Sequence, residues 1–399
     1  MRVLIIGAGI GGPAAAVALR RAGFEPVLFE ARQAPAESAG LFLTLVVNGL
    51  RVLRELDLLE AVLRANVIPT PLMEFRSTTG KPLGTVPNGW LDDGTPGLTL
   101  MRGALQKVLV DAVCARGIAV HHGRRLVACH ATPAGVVARF DDGTEVEGDL
   151  LVGADGIHSA VRRAAFPDAP APSYTGLLNL GGVVADSGLP PTPDTMRMVW
   201  GWRAFFGYTV HPDGEAWWFA NVGQEREPAR GELEAVPAEE WRRRLRDLFA
   251  DDPPFIAELV DRTPRIGATP IHDMPSLPAW QHGRVVLLGD AAHAVSPSSG
   301  QGASQALEDA IVLAKCLRDI APIDAALARY EALRRPRAER IVAEGRRRGT
   351  YKALESRAAV RVRDLLLPLA MRVFANERRL AWIHDYRVRW EEPVTARSA

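Results

Sequence analysis

The chain has 399 residues, with 48 Lys and Arg against 47 Asp and Glu, a formal net charge of +1. A composition 47% hydrophobic and 24% charged belongs to a globular chain with room for two or three domains, and argues against a disordered, collagenous or coiled-coil protein. The charge balance exerts no overall pull towards nucleic acid or anionic lipid, and three cysteines without a CxxC pair fit a reducing, cytoplasmic compartment rather than a disulfide framework.

Residues 3–19 resemble a signal peptide in hydrophobicity only, because Gly7, Gly9, Gly11, Gly12 and Pro13 interrupt the run. No other stretch is apolar over about 18 residues, so no membrane span is expected. Val3–Ile6 is a short, wholly apolar run of the kind a buried parallel strand shows, Pro13–Ala22 has helical composition and stops at Gly23, and Val27–Phe29 is a second strand closed by Glu30. Together they make a βαβ unit. Helical patterns recur over 48–65 and 101–116. Strands are expected near 118–121, 125–129, 135–140 and 144–147, with Asp141-Asp142-Gly143 turning between the last two, and LLVGADG closes another buried strand. The proline-rich stretches 167–172, 188–193 and 263–278 read as crossings between domains. Between them lie aromatic-rich strands, from 174 to 225, and a helix over 238–250. VVLLGD is a strand leading into a helix over 301–318, and 322–390 is mostly helical.

Gly7-Ala8-Gly9-Ile10-Gly11-Gly12 sits directly between a strand and a helix, and Glu30 ends the next strand 18 residues after Gly12. The first glycine permits the tight turn, the second lets backbone approach a pyrophosphate, and the third lets the helix pack closely with its N-terminal N–H groups towards the phosphates. A carboxylate at Glu30 accepts from a ribose hydroxyl and disfavours a 2′-phosphate, so the tightly held ligand is FAD or NAD rather than NADP. A second segment, VVLLGDAAHAVSPSSGQGASQALEDA, separates the two. It places Asp290 at a strand's end and small residues at a helix N-terminus, an environment suited to the negative edge of a reduced flavin.

Gly7–Gly12 with Glu30, Met101-Arg102 leading into LQKVL, GADGIHSAVR at 153–162 and GDAAHAVSPSSGQG at 289–302 occur in that order. With these motifs the chain resembles the single-component (group A) FAD-dependent aromatic hydroxylases, in the branch of salicylate hydroxylase, urate hydroxylase and zeaxanthin epoxidase, over about residues 1–335. The resemblance implies an α/β architecture. A Rossmann-like FAD-binding domain would form from 1–66, 98–173 and 276–330, an inserted mixed β-sheet substrate domain from 67–97 and 174–275, and a C-terminal helical segment from 331–399.

The resemblance also implies cofactor contacts: Gly7, Gly9, Ile10, Gly11 and Gly12 at the opening turn, with Glu30, Ala31 and Arg32 after the second strand. Arg102 and Gln106 would meet the diphosphate and ribityl region, Thr44 and Leu126 would line the cofactor, and Asp155 would match the motif tied to FAD and NAD(P)H. Asp290 would hold the ribityl or pyrophosphate part, with Pro297, Gly300, Gln301, Gly302, Ala303 and Ser304 against the ring. Read as residues alone, Arg102 also suits a solvated helix start, Asp155 an N-cap, and His293 a packed, hydrogen-bonded histidine. FAD would be held tightly without a covalent link. NADH or NADPH would reduce it, O2 would add, and the resulting hydroperoxide would pass one oxygen atom to a small aromatic or unsaturated substrate.

Eight of the 26 aromatic residues lie between 200 and 219, a crowding that suits a sheet roofing a flat ligand, although aromatics are also good strand formers. Trp200, Trp202, Phe206, Trp217 and Phe219 are the expected pocket residues. Arg203 is the charge that could meet an anionic substrate, and Tyr208, His211 and His272 are the candidate general bases. Where urate hydroxylases carry a tyrosine Trp217 stands, which argues against urate. Trp200-Gly201-Trp202 does not continue into the WxWxIP of flavin halogenases. Cys114, His121, His122, Cys129 and His130 lack zinc-ligand spacing, no metal is expected, and the arginine runs alternate with glutamates as solvated helix faces do. A monomer or homodimer without nucleic-acid partner is expected. An FAD oxidase or reductase without oxygen insertion, or a non-catalytic flavin-holding protein, remain as alternatives.

Overall fold

A computed structural model describes residues 1–33, 41–132, 135–350, 356–374 and 377–395. Residues 351–355, 375–376 and 396–399 of the expected C-terminal helical segment lie outside them. The opening βαβ unit is strand Arg2–Ile6, helix Gly11–Arg21 and strand Glu25–Glu30. Val3, Leu4, Ile5 and Ile6 are all buried because helix Gly11–Arg21 covers one face of a parallel sheet and a three-stranded antiparallel sheet of 126–131, 136–140 and 145–148 covers the other, with Gly148 against Leu4 and Phe140 4.7 Å from Phe29. The parallel sheet has six strands in the order 281–282, 285–287, 150–153, 2–6, 25–30, 119–122, all parallel except the edge pair 281–282 and 285–287. Gly7 takes φ +106°, and a Cβ on Gly12 would overlap the Gly7 carbonyl oxygen, so the turn closes only around glycine at both positions.

A further sheet of seven strands runs 267–273, 173–184, 216–223, 204–210, 195–200, 72–76, 82–87. It is mixed, since 195–200 pairs parallel with 72–76 while its other pairs are antiparallel. The strand Val67–Pro69 is not part of it. It pairs with Leu98–Met101, which also pairs with Phe42–Leu45, so the first crossing between the layers falls a few residues later than expected.

Two helical expectations are refined. The pattern over 48–65 is two helices, Val47–Glu55 and Leu59–Leu63, because Asp57 adopts φ +58° and breaks the run. Phe255–Arg262 is an additional helix after Pro253-Pro254; its Ile256, Leu259 and Val260, three and four apart, are buried against the back of the seven-stranded sheet.

Helix Gly302–Asp319 runs through the centre, with every residue from Ser304 to Leu317 buried. Its charged Glu308 and Asp309 therefore need buried partners. Helix Ile323–Thr350 supplies them, and helices Arg357–Phe374 and Glu377–His384 complete the C-terminal part. The chain then folds back: Trp390 is buried between the guanidinium groups of Arg21 and Arg318, 4.9 and 4.6 Å from its ring centre. Packing is thus the role of Trp390. No helix among the described residues is long and apolar enough to cross a membrane.

Candidate active site

One large cavity, of about 2310 Å3, lies between the opening glycine turn, the seven-stranded sheet and the C-terminal helices. Gly7, Gly9, Ile10 and Gly11 line it, as do Glu30, Ala31 and Arg32. The Glu30 carboxylate accepts from the Ala8 N–H at 2.8 Å and the Arg32 N–H at 2.9 Å, one on each oxygen, which fixes it facing the cavity with lone pairs to spare. Gln106 donates to the Ala8 carbonyl at 2.5 Å and so braces the turn, while Arg102 opens helix Arg102–Ala115 exposed at the cavity's rim. Thr44, hydrogen-bonded to Thr99 at 3.1 Å, and Leu126 also line it.

Asp155 supports a helix start and also lines the cavity, although the cap residue itself is Ser159, whose side chain accepts from the Arg162 N–H at 2.9 Å. One Asp155 carboxylate oxygen accepts from the Ala160 and Val161 N–H groups, at 2.6 and 3.1 Å, at the start of helix Ala160–Ala165. The other is buried at the cavity wall without a hydrogen-bond partner, and burial pushes the carboxyl pKa up. Arg162 donates to the Ala291 carbonyl at 2.7 Å and ties this segment to the loop after strand Val285–Leu287. On that loop Asp290 is exposed to the cavity, and Pro297, Gly300, Gln301, Gly302 and Ala303 follow along its wall. The helix beginning at Gly302 has no acidic residue in its first turn and no side-chain cap, so its first N–H groups are left for a negatively charged partner.

Gly12 and Ser304 do not line the cavity. Gly12 packs beneath Gly7, and Ser304 is wholly buried against Gly49.

These residues fit an extended dinucleotide carrying a flat ring. A Cβ placed on Gly9 meets nothing within 4 Å, and the unpartnered Asp155 oxygen and exposed Asp290 wait for donors.

The substrate side departs further from expectation. Trp200 and Phe219 line the cavity, but Trp202, Arg203, Phe206, Trp217, Tyr208, His211 and His272 do not. Side chains of a strand alternate between faces. In Ala204–Val210, Phe205 therefore reaches the cavity while Phe206 and Tyr208 turn to the opposite face, where their rings meet Phe249 and Phe255 at 5.5 and 5.0 Å. Arg203 is exposed and donates to the Leu248 carbonyl at 3.1 Å, so it cannot meet a ligand in the cavity. Trp217 is buried behind Phe42, 5.9 Å between ring centres, with its indole N–H on Glu215. His211 pairs with Asp213 at a strand end, 2.9 Å away. His272 pairs with Glu227 at 2.7 Å and touches the cavity only through His158, whose own pKa is lowered by burial.

Trp202 belongs to a separate feature. Its backbone N–H donates to Asp252 at 3.0 Å, and burial raises the Asp252 pKa to about 6. Between roughly pH 4 and 6 the unfolded chain ionises this carboxyl while the folded chain does not, so the group makes folding less favourable as pH rises through that window. Asp252→Asn keeps the acceptor. Denaturation midpoints from pH 4 to 7 are expected to lose this downward slope in the variant; an unchanged slope would place the titration elsewhere.

The floor of the covering lobe is built instead from Met73, Phe75, Met196, Met198 and Phe205, and its helical wall from Leu366, Leu367, Met371, Leu380 and Ile383. His384 also lines it, with a pKa pushed down to about 4 chiefly by burial. Beneath the loop of Asp290, His293 is a packed histidine. It hydrogen-bonds Asp309 at 2.5 Å and stacks on Trp280 at 4.8 Å.

Comparison with known proteins agrees with this geometry. A family described as "FAD binding domain" matches residues 1–345. The aurachin C monooxygenase/isomerase of Stigmatella aurantiaca is 36% identical over 385 residues, 95% of each chain. A 3-amino-4-hydroxybenzoate 2-monooxygenase of Streptomyces platensis is 32% identical over 395 residues, 96% of each chain. The crystal structure of Klebsiella pneumoniae HpxO with FAD and uric acid superposes with a TM-score of 0.84 at 27% identity, covering 96% of this chain and 97% of that one.

Proposed function

This chain belongs to the FAD binding domain family, and we propose on that premise that its cavity is the active site of an FAD-dependent monooxygenase acting on a small aromatic or unsaturated molecule. The observation that carries the reading is the convergence of Gly7–Gly11, Glu30, Asp155, Asp290 and the helix start at Gly302 on one wall of a cavity whose opposite lobe is apolar. When bound, FAD supplies the chemistry: it takes a hydride from NADH or NADPH and activates O2 for transfer of one oxygen atom.

The protein's residues position and insulate. Glu30 accepts from ribose hydroxyls, Arg102 meets the diphosphate as a guanidinium fork, and Asp290 accepts from the ribityl or pyrophosphate region. The free N–H groups from Gly302 onward favour negative charge at the ring's edge. The aromatic and methionine floor excludes water from the reacting atoms. No side chain serves as nucleophile. His384 lines the lobe, but burial holds its pKa at about 4 and makes it a weak proton acceptor, and Tyr208, His211 and His272 lie outside the cavity lining. Nucleic acid is not a partner in this reading, since exposed Arg243 and half-buried Arg242 and Arg335 are paired with Glu239, Glu240, Glu331 and Glu339.

Incubation with NADH or NADPH, O2 and an aromatic panel is expected to give a product heavier by one oxygen atom, read by mass spectrometry. Reductant consumption with peroxide as the sole product would favour an oxidase. Asp290→Ala removes a charged acceptor from the cavity wall and is expected to weaken FAD retention about tenfold to a hundredfold. A purified variant with full flavin occupancy would contradict the role given to Asp290.

A further inference from the structure

We propose that the substrate carries an extended hydrocarbon chain, which lies between the methionine floor of the seven-stranded sheet and helix Arg357–Phe374 and emerges past Leu366. The inference rests on the monooxygenase reading and narrows its substrate class.

Three observations carry it. The cavity, of about 2310 Å3, extends beyond the wall that fits a dinucleotide into a second lobe under helix Arg357–Phe374. The lobe facing the helices is apolar on both sides. Met73, Met196 and Met198 give its floor an adaptable surface suited to a flexible chain rather than to a rigid ring alone.

The charges on the helical wall are already committed. Arg347 and Arg348 pair with Glu344 at 2.9 Å, and Arg363 pairs with Asp364 at 2.8 Å while donating to the Trp200 carbonyl at 2.9 Å. Among the described residues a carboxylated substrate finds no unpaired arginine lining that wall; Arg230 and Arg265, which also line the cavity, belong to other segments, and Arg203, the residue expected to receive one, is hydrogen-bonded to the Leu248 carbonyl outside the cavity.

The third observation is the mouth. Among the described residues six large hydrophobic side chains are exposed, and four of them, Val362, Leu365, Leu366 and Leu369, lie on this one helix. Their spacing of three and four places them on one face. Val362 and Leu366 also line the cavity, so the apolar surface is continuous from the lobe to the outside. Leaving such a stripe bare costs solubility with no folding gain, and a chain emerging past Val362 and Leu366 would cover the end of it that opens into the cavity.

The FAD-loaded enzyme is titrated with phenol, 4-butylphenol, 4-octylphenol and 4-hydroxybenzoate, with binding read as the change in flavin absorbance. Each buried methylene strengthens binding by about fourfold until the lobe is filled, so 4-octylphenol is expected to bind at least about a hundredfold tighter than phenol, and 4-hydroxybenzoate no better than phenol. Leu366→Glu is expected to reduce that preference about tenfold or more with flavin content unchanged, whereas Leu369→Glu, outside the cavity lining, leaves it intact. Equal binding of phenol and 4-octylphenol, no binding of either alkylphenol, or loss of preference in Leu369→Glu but not in Leu366→Glu would overturn the proposal. An enzyme that holds no FAD fails earlier, at the monooxygenase reading itself.

Discussion

Replacing Arg334 by methionine is expected to cost about 3–5 kcal/mol of unfolding free energy, the penalty for leaving a buried charge without its partner. Arg334 is wholly buried, as are Glu308 and Asp309. Its Nε donates to Asp309 at 2.7 Å, one terminal nitrogen to Glu308 at 2.6 Å and the other to the Gln305 side chain at 2.8 Å. Burial alone would push Asp309 towards the neutral acid, but His293 and Arg334 pull its carboxyl well below the usual carboxylate range. The variant removes the fork that bridges the two carboxylates; His293 stays on Asp309 and Arg337 on Glu308, but the buried oxygens that Arg334 filled each lose a donor and the pair of carboxylates loses one positive charge. Because Asp309 also accepts from the Gly289 N–H at 2.9 Å, the loss reaches the loop that carries Asp290. Chemical denaturation of the flavin-loaded protein measures it. A cost within the 0–1 kcal/mol, roughly, of exposed ion pairs would contradict the network's role.

Gly9→Val is expected to weaken FAD retention by about tenfold to a hundredfold, the effect of an overpacked contact, while leaving the fold of the flavin-free chain intact. The distinction comes from what surrounds the three glycines. A side chain on Gly12 would overlap the Gly7 carbonyl, and one on Gly11 would reach Leu288 at 2.5 Å, so substitutions there disturb the protein itself. A Cβ on Gly9 meets no protein atom within 4 Å and projects into the cavity that Gly9 lines. Flavin absorbance per chain after purification gives the first quantity, and the denaturation midpoint of the stripped protein gives the second. Full flavin content in the variant would mean that the cofactor does not pass over this turn.

The cofactor side of the site was legible because backbone geometry dictates its sequence. A turn that closes only around glycine, a carboxylate at the end of the next strand, and a strand–loop–helix at 285–302 leave residues that few other structures require. The substrate side was not legible, and strand Ala204–Val210 shows why. All seven of its residues are buried, since helices cover one face and the cavity's own walls the other, so the strand has no polar and apolar alternation from which to tell Phe205 from Phe206. Aromatic crowding identified the right sheet but not its inward face. The helical character of 322–390 was readable, yet the role of Leu366, Leu367 and Met371 as a cavity wall depends on where helix Arg357–Phe374 docks, which a helix apolar on two sides does not announce. The buried network carries one signal in the sequence: Glu308 and Asp309 sit in the middle of an otherwise apolar helical run, QALEDAIVLA, where charge requires a partner.

The visible spectrum of the freshly purified chain, taken before and after addition of NADH or NADPH without air, tests the central claim most directly. The account predicts a yellow protein with one FAD per chain whose absorbance bleaches on reduction and returns with O2. A chain that stays colourless after incubation with FAD, or a bound flavin that neither nicotinamide cofactor bleaches, would contradict it.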